Sequence, residues 1–149
     1  MNDLHNNIRA LTVLAPRALA TVVGSKTSNT IDRQGYGGVE FIFTYGISTG
    51  ASTASIPVVV KECDTTTGTF TSVADDDLLG TEALAGISSG VARTSGVSKS
   101  VTKRLGYKGN KRYLQAFIGT VSAATVSAAK IFGISAILHN PAIAPTSNP

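Results

Sequence analysis

The sequence predicts an all-β fold: an antiparallel β-sandwich of the jelly-roll or immunoglobulin-like type, with an extended N-terminal arm and C-terminal tail. Three observations predict it. Seven or eight short runs read as strands, and the clearest of them alternate with period two, which places every second side chain on one face. Turn residues separate these runs at intervals of roughly 8–12 residues, the spacing of sandwiches and barrels. No run with helical periodicity intervenes, and helices between the strands would be needed for a parallel sheet. The spacing does not choose a strand order. A chain of 149 residues fits one domain and buries about 70% of its unfolded surface without metals or disulfides.

Residues 1–17 read as an arm outside the core. The segment is mixed in polarity and closed by Pro16. A helix over about Leu4–Leu14 would lack a cap and carry β-branched Ile8, Thr12 and Val13, so the sequence leaves helical and extended forms open. The sandwich domain is expected over residues 18–140. A first strand is expected over residues 18–25, followed by a loop rich in Gly, Asn and Asp. The clearest strand is Val39–Ile47, where Val39, Phe41, Phe43, Tyr45 and Ile47 share one face. After a turn at 48–53 comes Ile56–Cys63, with Ile56, Val58 and Val60 on one face and Pro57 near its start, where a missing donor is tolerated. Asp64–Gly68 joins it to Thr69–Val73 as a hairpin with a long loop.

Asp75–Gly80 reads as a turn or one helical turn, and residues 83–98, poor in bulky side chains, as a long connection. Lys99–Tyr107 returns to alternation, with Val101, Leu105 and Tyr107 on the same parity as Lys103. After a turn at 108–111, Arg112–Val121 and Ala128–Leu138 are apolar on both parities, as in central strands covered on both faces. Residues 141–149 hold three prolines and read as an extended tail.

Charged residues make up only 15% of the chain, while Gly, Ala, Ser and Thr abound. This texture suits proteins that pack against copies of themselves or a partner. The single cysteine, Cys63, has no internal disulfide partner and reads as a small hydrophobe in a strand, compatible with assembly in a reducing cytoplasm. No apolar run reaches the roughly 18 residues of a membrane span. Leu11, Val13 and Leu14 form an N-terminal apolar run, but Asp3 ahead of it and Pro16 and Arg17 behind it argue against a cleaved signal peptide. Charge is split along the chain. Residues 1–82 carry nine acidic and five basic residues, and residues 83–149 carry eight basic and none acidic, for a total of +4. Such halves point to nucleic-acid binding or to packing of one surface on an opposite one.

The constellations that carry chemistry are weak here. His5 and His139 have no second nitrogen or sulfur at metal-ligand spacing, and nothing supports a Cys63–His139 dyad. Gly96-Val-Ser-Lys-Ser lacks the glycine positions of a phosphate loop. Asp75, Asp76 and Asp77 are adjacent, which does not reproduce the alternating ligands of a calcium loop; they read as a solvated turn or an intersubunit patch. Glu40 with Glu62 or Asp64 is a carboxylate pair that any β-protein offers by chance. These absences argue against an enzyme and imply no cofactor and no small-molecule substrate. The basic segment Arg93, Lys99, Lys103, Arg104, Lys108, Lys111 and Arg112 fits phosphates, an acidic protein face or a merely solvated face. Of its aromatics only Tyr107 and Tyr113 could stack on bases, so a protein partner is favoured over nucleic acid.

Three stretches together resemble the head decoration (cement) proteins of tailed bacteriophages or closely related small phage structural proteins. The first is VVVKECDTTTGTFTSVADDDLLGTEA, residues 58–83. The second is LGYKGNKRYLQAFIGTV, residues 105–121, similar to that group's Gly-Tyr-x-Gly-x-Lys-Arg-Tyr turn and strand. The third is ILHNPAIAP, residues 137–145. The resemblance covers about residues 35–145, and the Ser/Gly-rich stretch between Glu82 and Lys103 is longer than the pattern. It implies a small β-sandwich made in the host cytoplasm that sits on the assembled capsid as a homodimer or homotrimer, with the major capsid protein and copies of itself as partners. The contacts expected are the basic segment, Asp75–Asp77, the arm residues Leu11, Val13 and Leu14, and the tail residues Pro141, Ile143 and Pro145. A tail or head–tail connector component is the nearest alternative. A carbohydrate-binding module is another, disfavoured by the absence of Trp.

Overall fold

In the computed structural model, residues 4–19, 25–46, 55–87, 100–120 and 130–143 are described. Their strands are β1 (Ile8–Leu19), β2 (Lys26–Thr27), β3 (Ile31–Asp32), β4 (Tyr36–Tyr45), β5 (Val58–Cys63), β6 (Thr71–Ser72), β7 (Leu78–Leu79), β8 (Val101–Tyr107), β9 (Tyr113–Ile118) and β10 (Lys130–Pro141). One helical turn, α1 (Glu82–Ala85), lies between β7 and β8. The strands form two antiparallel sheets, β1-β10-β4-β8-β7 and β2-β9-β5-β6, with β3 also on β9.

The pairing is nested. β1 pairs β10, β2 and β3 pair β9, β4 pairs β8, and β5 pairs β6. A long antiparallel hairpin folded over itself gives this pattern, and β10 on β4 and β9 on β5 then close the two sheets. The order is that of a jelly roll, which separates it from the immunoglobulin-like alternative.

The expected alternation sets the core. Val39, Phe41, Phe43 and Tyr45 on β4 are at most 2% exposed, and Ile56, Val58 and Val60 also point inward. From the other sheet elements, Leu105, Tyr107, Leu114, Ala116, Ile118, Phe132, Ile134 and Leu138 complete the interior. Tyr45 packs its ring 5.1 Å from that of Phe132 and donates its hydroxyl to the Ala85 carbonyl.

Residues 8–17 are a strand and not an arm. β1 lies beside β10 from Ile8↔His139 to Leu19↔Lys130, and Val13 and Leu14 are buried. The β-branched residues that weaken a helix here suit a strand. Register shifts between Thr12 and Leu14 and between Leu14 and Arg17 mark bulges. They let consecutive Val13 and Leu14 both reach the core. Pro16 is tolerated because β1 is at the sheet edge, and it lies against Gly133, where a Cβ would come within 3.2 Å of its ring. The strand expected over 18–25 thus begins ten residues earlier and ends at Leu19; residues 20–24 lie outside the described residues.

The C-terminal boundary moves as well. β10 runs on to Pro141, which pairs with Tyr36 at a point beyond the start of β1. A residue without an N–H fits there. Asn140 takes a positive φ of 55°, and the Ala142 N–H is received by Gly35. Residues 144–149 lie outside the described residues.

Three further details follow the chemistry. β2 and β3 are one strand path interrupted at Ser28, which fills the gap: its N–H donates to the Ala116 carbonyl at 2.8 Å, and its hydroxyl accepts from the Ala116 N–H at 2.9 Å. Asp75–Asp77 form one 3-10 turn, within the range the sequence allowed. α1 is capped by Thr81, whose hydroxyl accepts from the Leu84 N–H. It packs between β5 and β8, and the Glu82 carboxylate takes the Val60 N–H at 2.7 Å.

Candidate functional site

The register brings six segments to one end of the sandwich. In the first sheet Ile8, His139 and Gly38 align, and Leu78, Tyr107 and Val39 align. In the second, Asp32, Tyr113 and Cys63 align. The β3–β4 turn, the β5–β6 loop, the Asp75–Asp77 turn, the β8–β9 turn and both Leu4–Asn7 and Ala142–Ile143 therefore lie at this end.

The β8–β9 turn, Lys108–Arg112, is tied down from below. Tyr107 is buried, and its hydroxyl donates to Glu62 at 2.6 Å and accepts from the Lys111 N–H at 2.9 Å. Burial, then the Glu62 carboxylate, push this phenol far above its ordinary value, so it stays a donor. The ring leaves no room for a side chain at 109: a Cβ there would lie 2.5 Å from the Tyr107 oxygen. Arg33 reaches across from the β3–β4 turn. Its Nη2 donates to the Gly109 carbonyl at 2.7 Å, its Nε to the Lys111 carbonyl, and its guanidinium lies 5.4 Å from the centre of the Tyr107 ring. From the other side, the Lys108 N–H donates to the Asp77 carbonyl at 2.9 Å. The basic turn and the acidic turn are thus neighbours, joined through backbone.

Most described members of the basic segment already have an intrachain partner. Arg112 grips Asp32 with two hydrogen bonds of 2.8 and 2.7 Å, which holds that carboxyl below its ordinary value. Lys111 meets Asp64 at 2.7 Å. Arg104 lies 3.7 Å from Glu40, with its side chain 81% exposed. Lys103, on the inward parity of β8, donates to the Gly86 carbonyl at 2.7 Å. In each ion pair the acid comes from the first half of the chain and the base from the second. Nested pairing folds the charge asymmetry of the sequence back onto itself.

The expected contact residues therefore separate. Asp75, Asp76, Lys108, Arg112 and Ile143 are exposed at this one end, and Asp77, Lys111 and Pro141 are half-buried there. Arg104 lies on the outer face of the first sheet. Val13 and Leu14 are core residues, which corrects their reading as contact residues of a loose arm, and Leu11 is half-buried against the core. Arg93, Lys99 and Pro145 lie outside the described residues.

Sequence reasoning did not single out Arg33, which holds the turn. It gave Glu62 only a chance pairing. The signal for Glu62 was available: it shares inward parity with Val58 and Val60, so a buried hydrogen-bond donor had to meet it.

Elsewhere, the outer face of the second sheet carries Tyr113 and Phe117, each lidded by a cation. Arg112 lies 4.9 Å from the Tyr113 ring centre and Lys61 4.5 Å from that of Phe117. A cleft of about 440 Å³ opens beside α1, with Ile56, Ile87 and Glu82 in its wall. Burial raises the Glu82 carboxyl above its ordinary value, with the charge of Asp75 adding to the shift against the Val60 hydrogen bond. Among the described residues, no cluster of three His, Cys, Asp or Glu side chains could hold a metal, and no helix is long and apolar enough to cross a membrane.

No family model matches the sequence, and no curated protein sequence matches it. Among solved structures, the chain is similar to dimeric latent PorU from Porphyromonas gingivalis, with a TM-score of 0.41 and 7% identity over 91% of this chain. The match spans 13% of that protein's length, and a likeness this slight says nothing of what the chain does.

Proposed function

We propose that the chain is a structural virion protein that binds the outside of a tailed-phage capsid and stabilises the shell. The observation that carries this reading is the turn that also carries the family resemblance. Gly106–Tyr113 forms a braced turn with its flanking strand ends at one end of the sandwich, with exposed Lys108 beside the Asp75–Asp77 turn. Exposed Leu4 and Ile143, at 69% and 84%, lie at the same end. A rigid end with both signs of charge and apolar side chains suits a fixed joint with a large protein surface. The carboxylates that could have formed an acid–base pair serve the scaffold instead: Glu62 holds Tyr107, and Asp64 and Glu40 face Lys111 and Arg104.

Cryo-EM of the purified particle, with the copies counted, tests this. Density for the chain over the capsid surface, with the 108–112 turn against the shell, is the expected result. Density confined to the tail or portal at about a dozen copies would make it a connector component, and its absence from the particle would end the virion reading. In a binding assay on heads lacking the chain, Lys108→Glu should weaken attachment by roughly tenfold, in keeping with the loss of about 1.4 kcal/mol at one desolvated charge contact.

A further inference from the structure

Each sheet turns one face outward, and the two faces differ. Across the first sheet, Thr12, Ser135, Ile42 and Arg104 form an outward row without an aromatic. In the second, Leu114, Ala116 and Ile118 of β9 are buried, so alternation turns Tyr113, Gln115 and Phe117 outward. Both rings lie outside the core and stay half-exposed. Alternate residues of a strand are about 6.6 Å apart, so the rings stand about 13 Å apart with Gln115 midway.

Each ring has a cation beside it, and the two cations differ. Arg112, 4.9 Å from the Tyr113 ring centre, is tied by two hydrogen bonds to Asp32, which stands opposite Tyr113 on β3. That fixes the guanidinium at the ring and spends its charge on the carboxylate. Lys61, 4.5 Å from the Phe117 ring centre, stands opposite Gln115 and Ser72 and has no carboxylate partner among the described residues. The charge left on this face is therefore positive. Gln115 donates its amide to the Thr30 hydroxyl at 2.8 Å, which leaves its carbonyl as an acceptor between the rings.

We infer that the outer face of the second sheet binds single-stranded nucleic acid, with one base stacked at Tyr113 and Arg112, another at Phe117, and a phosphate held by Lys61. Unpaired bases stack on aromatic rings and on guanidinium planes alike. An exposed cation–π contact is weak, so the flexible Lys61 stem swings from the ring to the phosphate when a base arrives. A neutral glycan could stack on the same rings but would leave the charge of Lys61 unused. A duplex keeps its base planes hidden and does not fit. In the sequence, Tyr107 and Tyr113 were the stacking candidates; Tyr107 is buried, and Phe117, outside the basic segment, joins Tyr113 only through β9. The inference does not rest on the capsid reading, because it is tested on the purified chain.

Fluorescence anisotropy of a labelled oligothymidylate tests it. The full chain should bind with a dissociation constant of roughly 1–100 µM, in the range of non-specific binding, and should bind the matching duplex more weakly. Lys61→Met should flatten the slope of log affinity against log salt by about 0.7, the share of one phosphate on a single strand. Tyr113→Leu and Phe117→Leu keep apolar bulk on the face, and each should weaken binding by roughly fivefold or more with the slope unchanged. Arg104→Met removes an exposed cation from the other sheet and should change neither. Lys61→Met decides the matter if a leucine variant fails to fold. No binding in this range, equal binding of the duplex, unchanged affinity in the leucine variants, equal slope losses in Lys61→Met and Arg104→Met, or displacement of the strand by uncharged cellohexaose would overturn the inference.

Discussion

Tyr107 does two jobs with one oxygen. It satisfies Glu62 and receives the Lys111 N–H, and its ring fixes Gly109. Tyr107→Phe keeps the ring but leaves both partners short, so it should destabilise the fold by about 1–3 kcal/mol in urea unfolding. Glu82 makes the opposite kind of test. Its carboxyl is raised in the folded chain, chiefly by burial. A raised acid contributes stability below its unfolded value that is lost as pH rises through the folded value. Glu82→Gln keeps an acceptor for the Val60 N–H without the charge. It should be as stable as the wild type or more so at neutral pH, with its advantage shrinking as pH falls to the ordinary carboxyl value of 4.5, as melting curves across pH will read. Inward parity was legible at this scale for Phe41, Phe43 and Val60. The partners of the polar side chains were not, because Arg33 and Gly109 are 76 residues apart and meet only through the fold.

The strand least legible in the sequence is β1. A period-two pattern requires an unbroken pleat, and two bulges break it, so Val13 and Leu14 read as a short apolar run rather than as one face of a strand. Its partner, β10, lies at the far end of the chain. β4, by contrast, has no bulge in its pairing with β10 or β8, and its alternation survives intact. The measure of β1 as core is Leu14→Ala, which should cost roughly 2–5 kcal/mol, against a change within about 0.5 kcal/mol for exposed Leu4→Ala. Chemical denaturation of the two variants side by side checks this; an equally small effect at both would return β1 to the status of a loose arm.

At the scale of the whole molecule, the class of fold was legible and the strand order was not, since turn spacing is the same for several ways of nesting the same strands. The meaning of the charge split was also hidden. Acidic and basic halves suggested an external partner, yet Asp32–Arg112, Asp64–Lys111 and Glu40–Arg104 each join the two halves. Exposed Lys108, Asp75 and Asp76 lie together at one end. The nested pairing has one more consequence, a mechanical one. Because Ile8 lies across from His139 and β1 runs antiparallel to β10, a pull applied between Leu4 and Ile143 loads the β1–β10 ladder from its open end. Its hydrogen bonds then break in succession, as in a zipper, rather than together in shear. The molecule yields at low force along that axis, so tension on a joint at that end would peel the outermost strand well before it disturbed Phe41 and Phe43.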